Sequence, residues 1–359
     1  MIYPENFERK IGFNEIRTLL KGRCLSSLGT EWVDKELHFM HDFEQIKQAL
    51  DEAREYKIFE EQTDEEVETE FFDVREALLR ARPERTFLEE LDLFNLKRSI
   101  ASVLSYAKLF TQKVDDEDLS TTDADTENNR GQIKYLYPAL GKMACDVAVF
   151  PDIIQRIDKI LNKYGKVKDT ASPELLSLRH QIEITTRGIS HSLRSIINEA
   201  QTSGYIDRDV TPTLRDGRLV IPVAPALKRK IKGIVHDESA TGKTVFIEPS
   251  AVVDANNKIR TLRAAERREV IRILQEITIE IRPHIPELIS SLHFLAHVDF
   301  LRALNAFSNS FGAIVPNIQP KPSISWMRAI HPLLQHSLAK HGGKVVPLDV
   351  ELRPGQRIL

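Results

Sequence analysis

Between Gly204 and Pro249 the chain reads GYIDRDVTPTLRDGRLVIPVAPALKRKIKGIVHDESATGKTVFIEP, a turn-rich, β-patterned stretch inside a sequence whose periodicity is otherwise helical. Asp216-Gly217 predicts a two-residue hairpin, because a type I′ turn needs positive φ at both central positions and these residues tolerate it. Residues 210–214 lead into the turn and 218–223 leave it, with Leu219, Ile221 and Val223 alternating with smaller or constrained neighbours. A second pair is expected from 230–236 and 244–248, joined by a polar turn through Ser239 and Gly242, with Val245 and Ile247 on one face. The product is a small antiparallel sheet.

The flanks of this sheet are long amphipathic helices. Upstream, Leu175, Leu178, Ile182, Ile189, Leu193, Ile196 and Ala200 fall at steps of three, four or seven and line one side of a helix. Ser172 followed by Pro173 marks its start, an N-cap with proline where the missing N–H is harmless. Downstream, Val252, Ala255, Ile259 and Leu262, then Val270, Leu274, Ile277 and Ile281, form a second stripe that ends at Pro283. At 1.5 Å per residue each helix would run about 45 Å. A helix out, a sheet and a helix back predict a lever (171–282) that carries a clamp (204–249).

With 359 residues and 42% hydrophobic content, the chain is long enough for two or three domains, although a lever adds residues without adding core. The formal net charge of −3 argues against a protein coated throughout in nucleic acid, so any such contact must be local. Cys24 and Cys145 are few, distant and in no metal-ligand spacing, and read as reduced core residues of a cytoplasmic protein. No run approaches the ~20 apolar residues of a membrane span, and MIYPENFERKIGF lacks the basic start and apolar block of a signal peptide.

Residues 1–170 are expected to form a helical core. Asp42 with Gln45, and Thr86 with Glu89, are capping-box patterns ahead of apolar-periodic segments, the second predicting a buried face of Leu88, Leu91, Phe94, Ile100, Val103, Leu104 and Phe110. The acidic stretches 60–70 and 115–125 read as solvated face and loop, with no fixed carboxylate geometry behind them. Helices around 131–170 are expected to break at Pro138 and Pro151. Tyr135 and Tyr137 could stack on bases, but packing the seam between helices is the simpler reading. After the lever, 283–316 returns to the core as a helix from Pro286 to Phe311 with Leu288, Leu292, Leu295, Val298, Leu301 and Leu304. Residues 324–330, 344–348 and 349–352 look like strands, and the chain stops at Leu359 amid them, so a truncated chain is expected.

Several tempting chemistries fail on geometry. Gly242-Lys243-Thr244 resembles the end of a phosphate loop, but Asp237 occupies the position of the earlier glycine, and the segment opens a strand instead of a helix. His236, Asp237 and Glu238 are consecutive and cannot converge on one ion unaided. No nucleophile–base pair or paired carboxylates stand out. Electrostatics remain: between 208 and 232 the clamp carries Arg208, Arg215, Arg218, Lys228, Arg229, Lys230 and Lys232 against Asp209 and Asp216, with Lys243 further on. Such a cluster suits a phosphate backbone, which is read without regard to sequence; a hairpin tip made cationic for solubility is the alternative.

These residues also resemble a known family. The stretch 205–249, the following AVVDANNKIRTLRAAERREVIRIL (251–274), and AIHPLL (329–334) with VVPLDVEL (345–352) are similar to the bacterial MutS paralogue branch called MutS-two, as is IGFNEIRTLL (11–20) at the start. The resemblance implies a mainly α fold: a helical core, a two-helix lever with a β clamp, and at 317–359 the opening of an ATPase of the ATP-binding-cassette type that stops before its phosphate loop and lacks the Smr nuclease domain. It places His331, Pro332, Val346 and Pro347 beside the nucleotide base in an incomplete site, so that this stretch holds no cofactor alone while the whole protein would use ATP and Mg. It further implies a homodimer that binds branched or junction DNA and suppresses homologous recombination; members of the branch are also implicated in sensing and splitting collided ribosomes, where ribosomal RNA would be the partner. A third reading makes the helices a dimerisation scaffold and the clamp a protein-binding sheet.

Overall fold

A computed structural model of the chain describes residues 6–356 apart from 64–66, 68, 115–134, 205, 207–209 and 240. In chain order the elements are α1 (Phe7–Lys10), α2 (Phe13–Lys21), α3 (Ser27–Lys35), α4 (Phe43–Gln62), α5 (Arg75–Arg80), α6 (Glu90–Phe110), α7 (Pro138–Ala144), α8 (Pro151–Ile160), α9 (Pro173–Thr202), β1 (Thr213–Arg215), β2 (Arg218–Val223), β3 (Gly233–Glu238), β4 (Val245–Pro249), α10 (Val253–Ile281), α11 (Ile285–Phe311), β5 (Ile324–Ala329), α12 (Pro332–Ala339) and β6 (Leu348–Leu352). The fold is mainly α, with long helices and a small β clamp. Two compact units share the chain: one comprises 1–83, 92–155 and 281–359, the other 84–91 and 156–280. Among the described residues no helix is long and apolar enough to cross a membrane.

The first unit is organised on α11, which packs against α2, α3, α4 and α5. Leu288, Leu292, Leu295, Val298 and Leu301 are buried along it, as their spacing predicts, and Leu304 packs at the edge of the cluster of Leu20, Val33 and Phe307. Asp299 is fully buried on the same helix because its carboxylate accepts the Leu25 and Ser26 N–H groups and the Ser26 hydroxyl, closing the start of α3. Tyr137 meets Phe59 edge-on at 5.7 Å and Tyr135 lies against Gly141, so both tyrosines pack helices together.

Several expectations are corrected here. Pro138 and Pro151 begin α7 and α8 instead of breaking helices, since a first-turn proline forfeits no hydrogen bond. The Thr86–Glu89 box stands ahead of the helix without being part of it: residues 86–89 have no regular structure, the Leu88 N–H donates to the Thr278 hydroxyl, and α6 starts at Glu90. Leu88, Ile100, Val103 and Phe110 are buried as expected, joined by Leu93, Leu96 and Tyr106, while Leu91 is 65% exposed. The second stripe does stop by Pro283: α10 ends at Ile281, a 3₁₀ turn spans Arg282–His284, and α11 begins at Ile285. Residues 344–347 form no strand, and β6 begins at Leu348, pairing antiparallel with β5. Cys145 is exposed and Cys24 only partly covered, so neither is a core residue. Asp42 caps α4 through the Gln45 N–H at 2.9 Å, as its pattern predicts. The acidic stretch 115–125, part of 60–70 and residues 357–359 lie outside the described residues.

In the second unit α9 and α10 run antiparallel. Arg179 on α9 pairs with Glu266 on α10 at 2.8 Å, and Ser172 at the start of α9 reaches Glu269 at 2.6 Å. Further along α9, Ile189, Leu193 and Ile197 bury against Val252 and Ile259 from the beginning of α10. Ile197 is buried where the stripe named Ile196, which packs at the rim.

Candidate nucleic-acid interface

The clamp is a four-stranded sheet in the order β1-β2-β4-β3. Its first turn forms as the sequence requires: Asp216 has φ 45° and Gly217 φ 75°, with Arg215 and Arg218 directly opposed across it. One face presents Ile221, Val223, Val245 and Ile247 to Ile189, Leu193 and Ile197 of α9, a shared apolar core that fixes the sheet to the helices. All five residues of β4 are buried, so Phe246 and Glu248 on its other face are covered too.

That second face separates two arginines that look alike in sequence. Arg215 stays exposed and stacks over Phe246, its guanidinium carbon 4.2 Å from the ring centroid. Arg218 turns inward: its Nη1 donates to both oxygens of Glu248, and its Nη2 donates to Asn257 at 3.0 Å. Glu248 also accepts from Asn256 Nδ2 at 2.8 Å and pairs with His236 Nε2. Burial pushes the Glu248 carboxyl up, but Asn256, His236 and Arg218 together outweigh it and hold the carboxylate below its ordinary range. Asn256 further exchanges hydrogen bonds with the Leu219 N–H and carbonyl, so α10 grips the sheet through this one network. With His236 committed to Glu248, the 236–238 run gathers no ion-binding set; among the described residues no group of three or more His, Cys, Asp or Glu is placed to hold a metal.

The cations sit mostly on the connection from β2 to β3. Both strands pair antiparallel with β4, which lies between them, so residues 224–232 must cross over the sheet. A 3₁₀ turn at Pro225–Leu227 and a following turn shape the crossover, and Leu227 and Ile231 pin it to the apolar core. Lys228, Arg229, Lys230 and Lys232 therefore stand exposed on an anchored loop. Lys243 is exposed in the β3–β4 turn, where Gly242 takes φ 65°, beside the end of β2 because Val223 and Val245 are paired. Gly242-Lys243-Thr244 thus closes a hairpin and opens a strand. Arg208 lies outside the described residues.

The nucleotide positions inferred from resemblance are spread over unlike surroundings. His331 caps α12, its Nδ1 accepting the Leu334 N–H at 3.4 Å; Pro332 is the first helical residue; and Val346 is 87% exposed in a segment without regular structure. None of these supplies the row of N–H donors that phosphates demand or a carboxylate or hydroxyl ligand for Mg, so these residues alone do not make an ATP site.

Reading the sequence missed Glu248, Asn256 and Asn257, which hold Arg218 and the sheet in place. It also missed a cleft of about 440 Å³ beside the crossover, lined by Ile196, Ile231, Lys232 and Pro249 among others.

No family profile matches the chain. The curated proteins it is similar to include several named Endonuclease MutS2. That of Geobacillus sp. (strain WCH70) is 31% identical over 350 residues, covering 95% of this chain and 40% of the relative. That of Alkaliphilus oremlandii is 30% identical over 339 residues, 94% of this chain and 40% of the relative. That of Pelotomaculum thermopropionicum is 35% identical over 216 residues, 60% of this chain and 26% of the relative. The chain spans at most about two fifths of the length of these three relatives.

Proposed function

By sequence this chain belongs with the MutS2 family, and we propose that its clamp grips the phosphate backbone of branched nucleic acid without reading sequence. The observation that carries this is the crossover loop: Lys228, Arg229, Lys230 and Lys232 are exposed on a segment that Leu227 and Ile231 fix to the sheet core. Cations held on a rigid element lose little conformational freedom on meeting phosphates, and they release condensed counterions whatever the base sequence. Arg215, exposed with its guanidinium stacked over Phe246, and Lys243, at the neighbouring turn, extend the set. Arg218 is left out, because its charge is spent on Glu248.

For the whole protein we propose an ATP-hydrolysing homodimer that uses Mg, acts on DNA junctions to suppress recombination, and carries the endonuclease activity its relatives are named for. The clamp supplies the grip in that scheme.

The test is binding of the chain to a four-way DNA junction and to linear duplex of equal length across a salt series. The control replaces Arg215, Lys228, Arg229, Lys230, Lys232 and Lys243 with Ala. Salt-steep binding abolished by the substitutions supports the reading. Binding that survives them removes the clamp from the contact. Co-sedimentation with ribosomes, with no affinity for junctions, would move the target to ribosomal RNA.

A further inference from the structure

The cleft beside the crossover has a composition that phosphate contact alone does not explain. Its walls are apolar: Ile196 from the last turns of α9, Ile231 from the crossover, and Pro249 from the end of β4. Charged side chains line it as well, among them the exposed Lys232 and the exposed Glu199. At about 440 Å³ it falls within the range of small-molecule sites, roughly 300–1,000 Å³.

We propose that this cleft takes a single unstacked nucleotide of the bound strand, its base between the apolar walls and its phosphate on Lys232. The inference rests on the proposed nucleic-acid grip and deepens it. A flat base that has lost its neighbours exposes two apolar faces, and burying them on protein replaces the lost stacking. Glu199 offers an acceptor to an exocyclic amino group, which adenine, cytosine and guanine carry and thymine lacks. Extracting a base from an intact duplex costs a few kcal/mol, and least where it is already unpaired. The cleft therefore makes a sequence-blind clamp selective for structure, because bulges and other unpaired sites present such bases and continuous duplex does not.

The test measures fluorescence anisotropy of end-labelled duplexes of equal length that carry one bulged adenine, one bulged thymine, one abasic bulge or none. Ala251→Trp and Ser203→Trp each add bulk from exposed positions in the cleft's lining, and thermal melts identify a variant that keeps its fold. The wild-type chain should bind the adenine bulge about tenfold more tightly than the paired duplex, in keeping with one buried base, with thymine intermediate and the abasic bulge level with duplex. A folded tryptophan variant should lose that preference and keep its duplex affinity. Equal affinity for bulge and duplex, an abasic bulge bound as well as adenine, or a preference that survives both tryptophans overturns the cleft while leaving the backbone grip standing. Failure to bind any of the duplexes overturns both.

Discussion

Arg218 donates to both carboxylate oxygens of Glu248, at 2.9 and 3.0 Å, and that carboxylate has no solvent exposure. A buried charge is tolerable only while its partners remain, and breaking such a pair from one side costs about 3–5 kcal/mol. Glu248→Ala should therefore destabilise the clamp by about that amount, seen as faster amide exchange across 213–249 with little change in the first unit. The titration has a definite sign. Because the folded carboxyl titrates below its ordinary value of 4.5, its contribution to stability is complete above that pH and is lost as the pH falls through the lower folded pKa. Glu248→Gln should flatten this acid limb, and an unchanged limb would show that other carboxylates set it.

Arg215 and Arg218 face each other across the same turn, yet substitution should separate them into two classes. Lys228→Ala, Arg229→Ala or Lys232→Ala should each lower the log–log salt slope of duplex binding by about 0.9, uniformly across sequences, without altering the melting temperature. Arg218→Ala should instead destabilise the sheet, since it strands Glu248, and should change the slope only as far as the clamp unfolds. A full unit of slope lost in a stably folded Arg218→Ala protein would place that guanidinium on phosphate.

How much of this was legible follows from how local each cause is. Asp216-Gly217 could be read because the turn's demand for positive φ acts on those two residues alone. The stripes of α9 and α10 could be read because one periodic face meets one core. Glu248 could not, since a lone glutamate in a strand resembles a solvent-facing residue; its partners Arg218, His236 and Asn256 come from two other strands and a helix. The start of α6 was misplaced for the same reason: the Leu88 N–H is taken by the distant Thr278 hydroxyl, and 86–89 stay outside the helix. The cleft, built from α9, the crossover and β4, exists only once all three are assembled.

Gly233 is required by the approach of β3 to β4. A Cβ placed there would lie 2.1 Å from the Glu248 carbonyl oxygen, far inside contact distance, and backbone cannot yield as a flexible side chain can. Gly233→Ala should separate the two strands and cost roughly 1–3 kcal/mol, measured by denaturation and by exchange of the β3 and β4 amides. Gly188 on α9 has open space at the same position, so Gly188→Ala is the control and should stabilise its helix by up to about 1 kcal/mol.

Ser172 couples the start of α9 to the interior of α10. Its hydroxyl accepts the Leu175 N–H at 3.0 Å as the N-cap of α9 and donates to Glu269 of α10 at 2.6 Å. Arg272 foremost, against the opposing effect of burial and with help from Ser172, pushes the Glu269 carboxyl down to about 2. The stability this pairing contributes is present above the ordinary value of 4.5 and is lost as the pH falls through about 2. Ser172→Ala removes a cap and one donor to Glu269, an expected loss of about 1–2 kcal/mol at neutral pH. Glu269→Gln should remove the acid limb while keeping the helix cap. The double variant distinguishes a shared device from two neighbouring ones: coupling of about 0.5 kcal/mol or more means that the hydroxyl works for both helices at once. Strict additivity would mean that the start of α9 is capped independently of α10, and that the helices are held together by Arg179–Glu266 and the apolar stripe.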